Sequence, residues 1–410
     1  MSISLSAPDS SSDQAANQPS ALEVVATPLP PLTDLARAWL ELESRAAESF
    51  FTSWTWIGTW LTWLSDAKLP LDHLILITAR KQTAIVGLGI VCPAPRKWGS
   101  IGHSRILLHQ TGRVPQDSIY VEYNDFLVDA AIGLSVRMAC LQFLDSQRER
   151  GRLRINAAAQ SILDALTNTE IPHKLSRVET CFYADLTQVP TLASAPVGTD
   201  GRNEIGGDTL RAATNAYLTC LSSNSRQQIR RAIRLAEQHG PLRVVRAITQ
   251  DDTANTFGEL VRLHTAAWNK RKGLPGAFAN SDQTQFVAAL IDAGNASGRV
   301  DLLRIEAGTQ TVGVLLNFVH RGEIYAYQSG FAYTDDNRFK PGLLCHSLAA
   351  AYYKLRGRRG YHFMAGASRY KDTLSNATET LYWLETRRGG ILSHIWHRHR
   401  ALRQKTQLRS

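Results

Sequence analysis

Three stretches of this chain bring together residue types that can do chemistry. In the first, the irregular run from Thr334 ends in Lys340-Pro341-Gly342 and leads into a helical pattern, Leu343 to Arg356, with Leu343, Leu344, Ser347, Leu348 and Ala351 on one face. A helix that begins behind a short glycine-containing loop offers unpaired backbone N–H groups and the positive end of its dipole to an anion, and Lys340 adds a full charge. Proline and glycine at that place also make an ordinary helix start. The second stretch is a helix expected from about Arg226 to His239, stopped by Gly240-Pro241. Arg226, Arg230 and Arg234 recur there every four residues beside Arg231, with Ile229, Ile233 and Ala236 opposite. Such a cationic face is either solvated or meets phosphate or carboxylate groups, which guanidinium grips in pairs of hydrogen bonds. The third stretch, Thr253 to Lys270, is a helix that places His264 and Trp268 four residues apart on one face. His264 is there either a proton carrier or a packed core residue.

The strands that must hold these residues are visible around them. Asp301 to Ile305, Val312 to Val319 and Ile324 to Phe331 form an antiparallel meander, with turns at Ala307-Gly308-Thr309-Gln310 and His320-Arg321-Gly322-Glu323. After the loop and helix comes a strand from Tyr361 to Met364, and then Arg369-Tyr370-Lys371. The stretch from His73 to Leu88 has the layout of Asp301 to Val314: strand, polar turn, a Gln-Thr pair, and a returning strand with glycine. Self-similarity at this separation predicts two copies of one domain. In the first copy a strand over Tyr123 to Val128 and a helix over Gly133 to Arg150 follow, without Lys-Pro-Gly before the helix.

The expected organisation is a disordered segment 1–31, a first domain 32–190, a glycine-rich linker 191–208, a second domain 209–386 and a basic tail 387–410. Trp54, Trp56, Trp60 and Trp63 read as core packing. The 410 residues carry a net charge of +10, but Arg387, Arg388, Arg398, Arg400, Arg403, Lys405 and Arg409 lie in the tail, where there is no Asp or Glu. Nucleic acid is therefore not the expected partner, and peripheral contact through the tail is one use for it. Five widely spaced cysteines with no CxxC pair suggest neither a disulfide framework nor a metal site. His394, His397 and His399 stand among arginines that would repel a cation. No apolar run is long enough to span a bilayer and no signal-peptide layout opens the chain, so a cytoplasmic location is expected.

The order strand, hairpin, strand, anion-type loop, helix, strand resembles the core of the GNAT acyltransferases. Ser225-Arg226 through Gly240, Leu263-His264 with Trp268, Tyr325 to Gly330, Pro341-Gly342-Leu343-Leu344 and Phe363 to Lys371 are similar to its CelD-like acetyltransferase branch, related to the FemAB-type transferases. The resemblance covers Ser222 to Lys371. It implies an α/β (α+β) fold of two tandem GNAT-like domains, each a mixed, mostly antiparallel sheet flanked by helices. It also implies direct transfer of an acyl group, in the first instance acetyl, from acyl-CoA to an amine of an amino sugar, amino acid or related small-molecule acceptor. Acetyl-CoA is then a co-substrate, and no cofactor or metal is held permanently. Transfer of this kind needs a free amine lone pair, donors for the developing oxyanion, and a proton for the departing thiolate. On this pattern Tyr370, Lys371 and His264 are the catalytic candidates, Tyr370 as proton donor and Lys371 as an anion binder. Ser329, Gly330, Lys340, Pro341, Gly342 and Leu343 would bind the donor, and Arg226, Arg230, Trp268 and Tyr327 the acceptor. The first copy, lacking Lys-Pro-Gly, would shape the acceptor side. Only Gly342 stands where simple GNAT enzymes carry several glycines. That departure leaves three alternatives open: an acyl carrier protein as thioester source, an aminoacyl-tRNA donor as in FemAB, or a non-catalytic accessory in exopolysaccharide biosynthesis.

Overall fold

Two hairpins of matching design seed the architecture, one in each half of the chain. The computed structural model of the protein describes residues 22–387 except 48, 68–70, 95–104, 114–115, 148–150, 192–202, 273–275, 337 and 367. The N-terminal copy runs β1 (Leu22–Pro28), α1 (Leu32–Glu43), α2 (Trp54–Asp66), β2 (Ile75–Lys81), β3 (Ala84–Ala94), β4 (Arg105–Leu108), β5 (Leu127–Val128), α3 (Gly133–Ser146), β6 (Arg152–Ala158), α4 (Gln160–Thr169) and β7 (His173–Asp185). The C-terminal copy runs β8 (Glu204–Gly206), α5 (Gly207–Thr219), α6 (Ser223–Glu237), β9 (Leu242–Arg246), α7 (Gln250–Lys272), α8 (Ser281–Gly294), β10 (Val300–Ala307), β11 (Gln310–His320), β12 (Glu323–Phe331), α9 (Pro341–Leu355), β13 (Gly360–His362), α10 (Arg369–Leu374) and β14 (Ala377–Thr386).

Hairpins β2–β3 and β10–β11 turn on residues of positive φ, Gln82 at 57° and Gly308 at 61°. Both carry a register shift at the same place, leaving Val86 before Gly87 and Val312 before Gly313 without a cross-strand partner. In both copies a helix then returns the chain to a parallel strand: α3 leads to β6 beside β4, and α9 leads to β13 beside β12. The two tandem GNAT-like domains expected from the sequence are thus present, in one mixed sheet of order β1-β2-β3-β4-β6-β14-β7-β13-β12-β11-β10-β9-β8, with β5 on β3. The copies exchange their last strands. β7, from the N-terminal copy, pairs with β13, whereas β14, from the C-terminal copy, pairs with β6. β7 and β14 pair with each other from Tyr183↔Ala377 to His173↔Thr386.

Helices cover the sheet in three apolar clusters. One surrounds α3 and α4, with Val136, Leu141, Ile162 and Leu166 against Ile106 and Ile155. A second surrounds α5, α6 and α9, with Leu210, Tyr217, Ile229, Leu348 and Tyr352. The third joins the copies: Phe50 stacks on Phe318 with centroids 4.3 Å apart, and Trp56 meets Phe286 edge-on at 5.1 Å. Trp56, Trp60 and Trp63 are buried there, and Trp54 packs against them half-buried.

Several expectations need correction. Leu22–Pro28, read as disordered, is an edge strand whose Leu22, Val24 and Ala26 pack on the first cluster, too short a signal to stand out from a polar N-terminus. Residues 1–21 lie outside the described residues, as do 388–410 of the tail. Of the proposed linker, Glu204–Gly206 is β8 and Gly207 with Asp208 opens α5, while 192–202 lie outside the described residues. Tyr370 and Lys371, placed at a strand end by sequence, sit on the short helix α10. Among the described residues no helix is long and apolar enough to cross a membrane.

Candidate active site

Parallel strands β12 and β13 pair for only three residues, Glu323↔Gly360, Ile324↔Tyr361 and Tyr325↔His362. Beyond Tyr325, β12 runs on to Phe331 while the other chain turns away through Phe363, Met364 and Ala365, and a wedge opens between them. A register shift against β11 leaves Tyr327 without a partner, a bulge at the head of the wedge. The wedge continues into a cavity of about 540 Å³, whose walls include Gln328, Ser329, Lys340, Pro341, Gly342, Leu343, Tyr370 and Lys371. Among the described residues no strand covers the outer edge of β12 along this wall, so its backbone groups can serve a ligand.

Helix α9 aims its N-terminus at the cavity. Lys340 is its N-cap, Pro341 occupies the first turn, and the first intrahelical bond runs from Leu344 N–H to Lys340 O at 3.1 Å. Helix geometry therefore leaves the N–H groups of Gly342 and Leu343 without intrahelical acceptors, while Pro341 has none to offer. One turn on, His346 is buried, with Nδ1 2.8 Å from the Tyr361 hydroxyl, which in turn donates to Asn317 at 3.4 Å. Its Nε2 has no partner among the described residues, and burial holds the imidazole neutral, down at about 3. Tyr370 lies on it, ring centroids 5.9 Å apart and planes 17° apart, keeping 39% of its surface open. Shielding by the cavity walls pushes its hydroxyl up to about 12, so it stays protonated.

Lys371 is buried, and its ammonium donates to the carbonyls of Met364 at 3.0 Å and Ala365 at 2.6 Å. Desolvation lowers its pKa against the attraction of Glu122. Glu122, from the N-terminal copy, also lines the cavity and accepts the Ala365 N–H at 2.7 Å. Burial pushes its carboxyl up to about 7, against the lowering influence of that N–H and of Lys371. The neighbours of this contact are strained: Tyr123 and Met364 both adopt left-handed φ, 51° and 64°. Asn124 anchors the segment in the first copy, its amide donating to Leu108 O at 3.0 Å and its N–H to Ala157 O at 2.9 Å.

Of the residues singled out by sequence, the cavity gathers Tyr370, Lys371, His264, Ser329, Lys340, Pro341, Gly342, Leu343, Trp268 and Tyr327. Gly330 is not in its wall; a Cβ there would come within 2.7 Å of Leu260 O, so the glycine lets α7 lie close on β12. Both ring nitrogens of His264 are engaged by backbone. Ala277 N–H donates to Nε2 at 3.2 Å, which leaves Nδ1 as the proton bearer, donating to Ser329 O at 2.9 Å. In this arrangement both nitrogens of His264 are committed to the backbone, although its ring lines the cavity. Arg226 and Arg230 lie on α6, outside the cavity wall, Arg226 donating to Leu221 O at 2.6 Å. Glu122 and Tyr120 were missed, because nothing in one copy marks which residue will face the other.

The corresponding place in the N-terminal copy borders a second cavity, of about 1000 Å³, but an ion pair stands at its helix start. A Cβ on Gly133, at the start of α3, would come within 2.8 Å of Arg137 Nη1, and Arg137 Nε bridges both oxygens of Asp125 at 2.9 Å. A buried ion pair thus occupies the helix start that α9 leaves open.

A parallel strand pair that splays into a wedge beneath a helix N-terminus defines a GNAT-type acyltransferase fold. Residues 223–372 match the family described as acetyltransferase (GNAT) domain. No curated protein matches the chain. Among solved structures, FemX shares the fold, with a TM-score of 0.51 at 10% identity over 88% of this chain and 96% of that one. The C-terminal domain of a putative lysylphosphatidylglycerol synthetase from Agrobacterium fabrum has a TM-score of 0.49 at 11% identity, covering 89% and 95% of the two chains. A tandem GNAT protein from the clavulanic acid biosynthesis pathway has a TM-score of 0.39 at 12% identity, covering 90% and 98%.

Proposed function

We propose that the protein transfers an acyl group, acetyl in the simplest case, from a thioester donor to an amine, as the CelD-like resemblance implies. The observation that carries this reading is the wedge between β12 and β13, closed at one end by the open N-terminus of α9 and at the other by Glu122 and Lys371. A donor arm lies along the free edge of β12, where backbone N–H groups can hold the carbonyl oxygen as it gains charge. Its phosphate meets Lys340 and the N–H groups of Gly342 and Leu343. Glu122, poised near neutrality, takes a proton from the ammonium of the acceptor. The freed nitrogen forms a bond to the thioester carbon, the carbon–sulfur bond breaks with its electron pair on sulfur, and Tyr370 protonates the thiolate. The proton lost from the new amide nitrogen passes to the Tyr370 phenolate, and Glu122 returns its own to solvent, which completes the balance. Metal and covalent enzyme intermediate have no place in this sequence of steps.

Calorimetric titration with acetyl-CoA tests the reading. Saturable binding that is lost in Lys340→Glu/Gly342→Asp is the expected result. The resemblance of the sequence to the FemAB-type transferases keeps an aminoacyl ester as the competing donor. Binding of aminoacyl-tRNA without acetyl-CoA would favour that donor, and binding of neither would favour a carrier-protein donor and then a non-catalytic role in polysaccharide biosynthesis.

A further inference from the structure

The arginine-rich helix has no part in the cavity, and its geometry asks for a partner of its own. Helix α6 is capped by Ser222, whose hydroxyl accepts Ser225 N–H at 3.1 Å, and it buries Ser225, Ile229, Ala232 and Ala236. At 100° per residue, Arg230, Arg231 and Arg234 fall on the side opposite those residues, and all three are exposed. Among the described residues none of the three has a carboxylate in ion-pair range, and Glu237 is turned toward Arg211 at 3.5 Å. Helix α6 packs on α9, the helix whose N-terminus faces the cavity. The field of Arg231 reaches Asp336, in the loop just ahead of Lys340. A cationic face therefore adjoins the cavity lip.

A nucleotide seated in the cavity would touch that lip, but not guanidinium groups on the outer side of a helix about 10 Å across. The helix start of α9 has a matching economy: with Pro341 lacking an N–H, only Gly342 and Leu343 offer donors, which suits one phosphate diester better than a pyrophosphate. Resting on the acyl-transfer reading above, we infer that the donor is an acyl carrier protein, a small acidic protein whose carboxylates dock on Arg230, Arg231 and Arg234 while its phosphopantetheine arm enters the wedge.

The test uses the full chain, a bacterial acyl carrier protein in its acetyl-phosphopantetheine form, and acetyl-CoA, each titrated into wild type and Arg231→Glu/Arg234→Glu. The expected result is micromolar carrier binding that weakens as salt rises and falls at least ~10-fold in the variant, about the effect of losing 1.4 kcal/mol, while acetyl-CoA binding is equal in both proteins. The exposed positions and a thermal melt of the variant guard against misfolding. Carrier binding indifferent to the double substitution, or acetyl-CoA binding without carrier binding, overturns the inference and leaves the acyl-transfer reading standing. Absence of binding by either thioester removes both. Capture of tRNA by the same arginines, without carrier binding, overturns it in favour of nucleic acid.

Discussion

Glu122 and Lys371 share one desolvated wall, and burial moves both toward their neutral forms. For Lys371 the loss is offset by two backbone carbonyls and by Glu122 itself. For Glu122 the consequence is a carboxyl that is half ionised near pH 7, where a base toward an ammonium is useful. Transfer should therefore rise with pH around a midpoint near 7. Glu122→Gln should lower kcat by about 10²-fold or more, abolish that rise and leave donor binding intact; an unchanged pH profile would remove Glu122 from the proton path. The donor half of this site could be read from the sequence because it is local: Lys340 to Leu343 are contiguous, and Tyr370 with Lys371 follow within one helix and one strand. Glu122 could not, since its meaning comes from Ala365, which lies far along the chain and meets it only across the two copies.

His362 fastens three strands together. On β13, its Nε2 lies 3.2 Å from Glu323 on β12 and its Nδ1 2.7 Å from Glu379 on β14. Tyr183 and Tyr325 stack on its two faces, at 4.9 and 5.0 Å. Arg359 pairs with Glu323 at 3.1 Å, and the Tyr123 hydroxyl donates to Glu379 at 2.5 Å. Hydrogen bonds that the ring donates to the two glutamates outweigh burial and hold the imidazolium up to about 9. The unfolded chain releases this proton near 6.5, so the stabilisation is complete below that pH and is lost as pH rises toward 9. The melting temperature should fall over that window, and His362→Gln should flatten the fall; a slope of equal size in the variant would place its origin elsewhere. The strands that His362 joins differ in how plainly they declare themselves. β12 is dense in β-branched and aromatic residues, Ile324, Tyr325, Tyr327 and Phe331, and is evident. β14, Ala-Thr-Glu-Thr-Leu-Tyr-Trp-Leu-Glu-Thr, has a largely half-buried pattern because it lies between strands of the other copy, and so escaped notice.

Exchange of β7 and β14 makes each copy incomplete without the other. A chain cut within residues 192–202 should yield fragments that show no cooperative unfolding transition alone and regain a single one when mixed; a cooperative melt of the N-terminal fragment by itself would refute this. The repeat was apparent from the matched hairpins at Gln82-Thr83 and Gln310-Thr311, yet the exchange was not, because strand order in a sheet depends on pairings that no local pattern encodes. The exchange also sets an order on biosynthesis. β14 (Ala377–Thr386) follows every other strand of the sheet in the chain, and its place is in the middle of that sheet, between β6 and β7. During translation the facing edges of β6 and β7 therefore stay bare until β14 has been made, and only then can the middle of the sheet close.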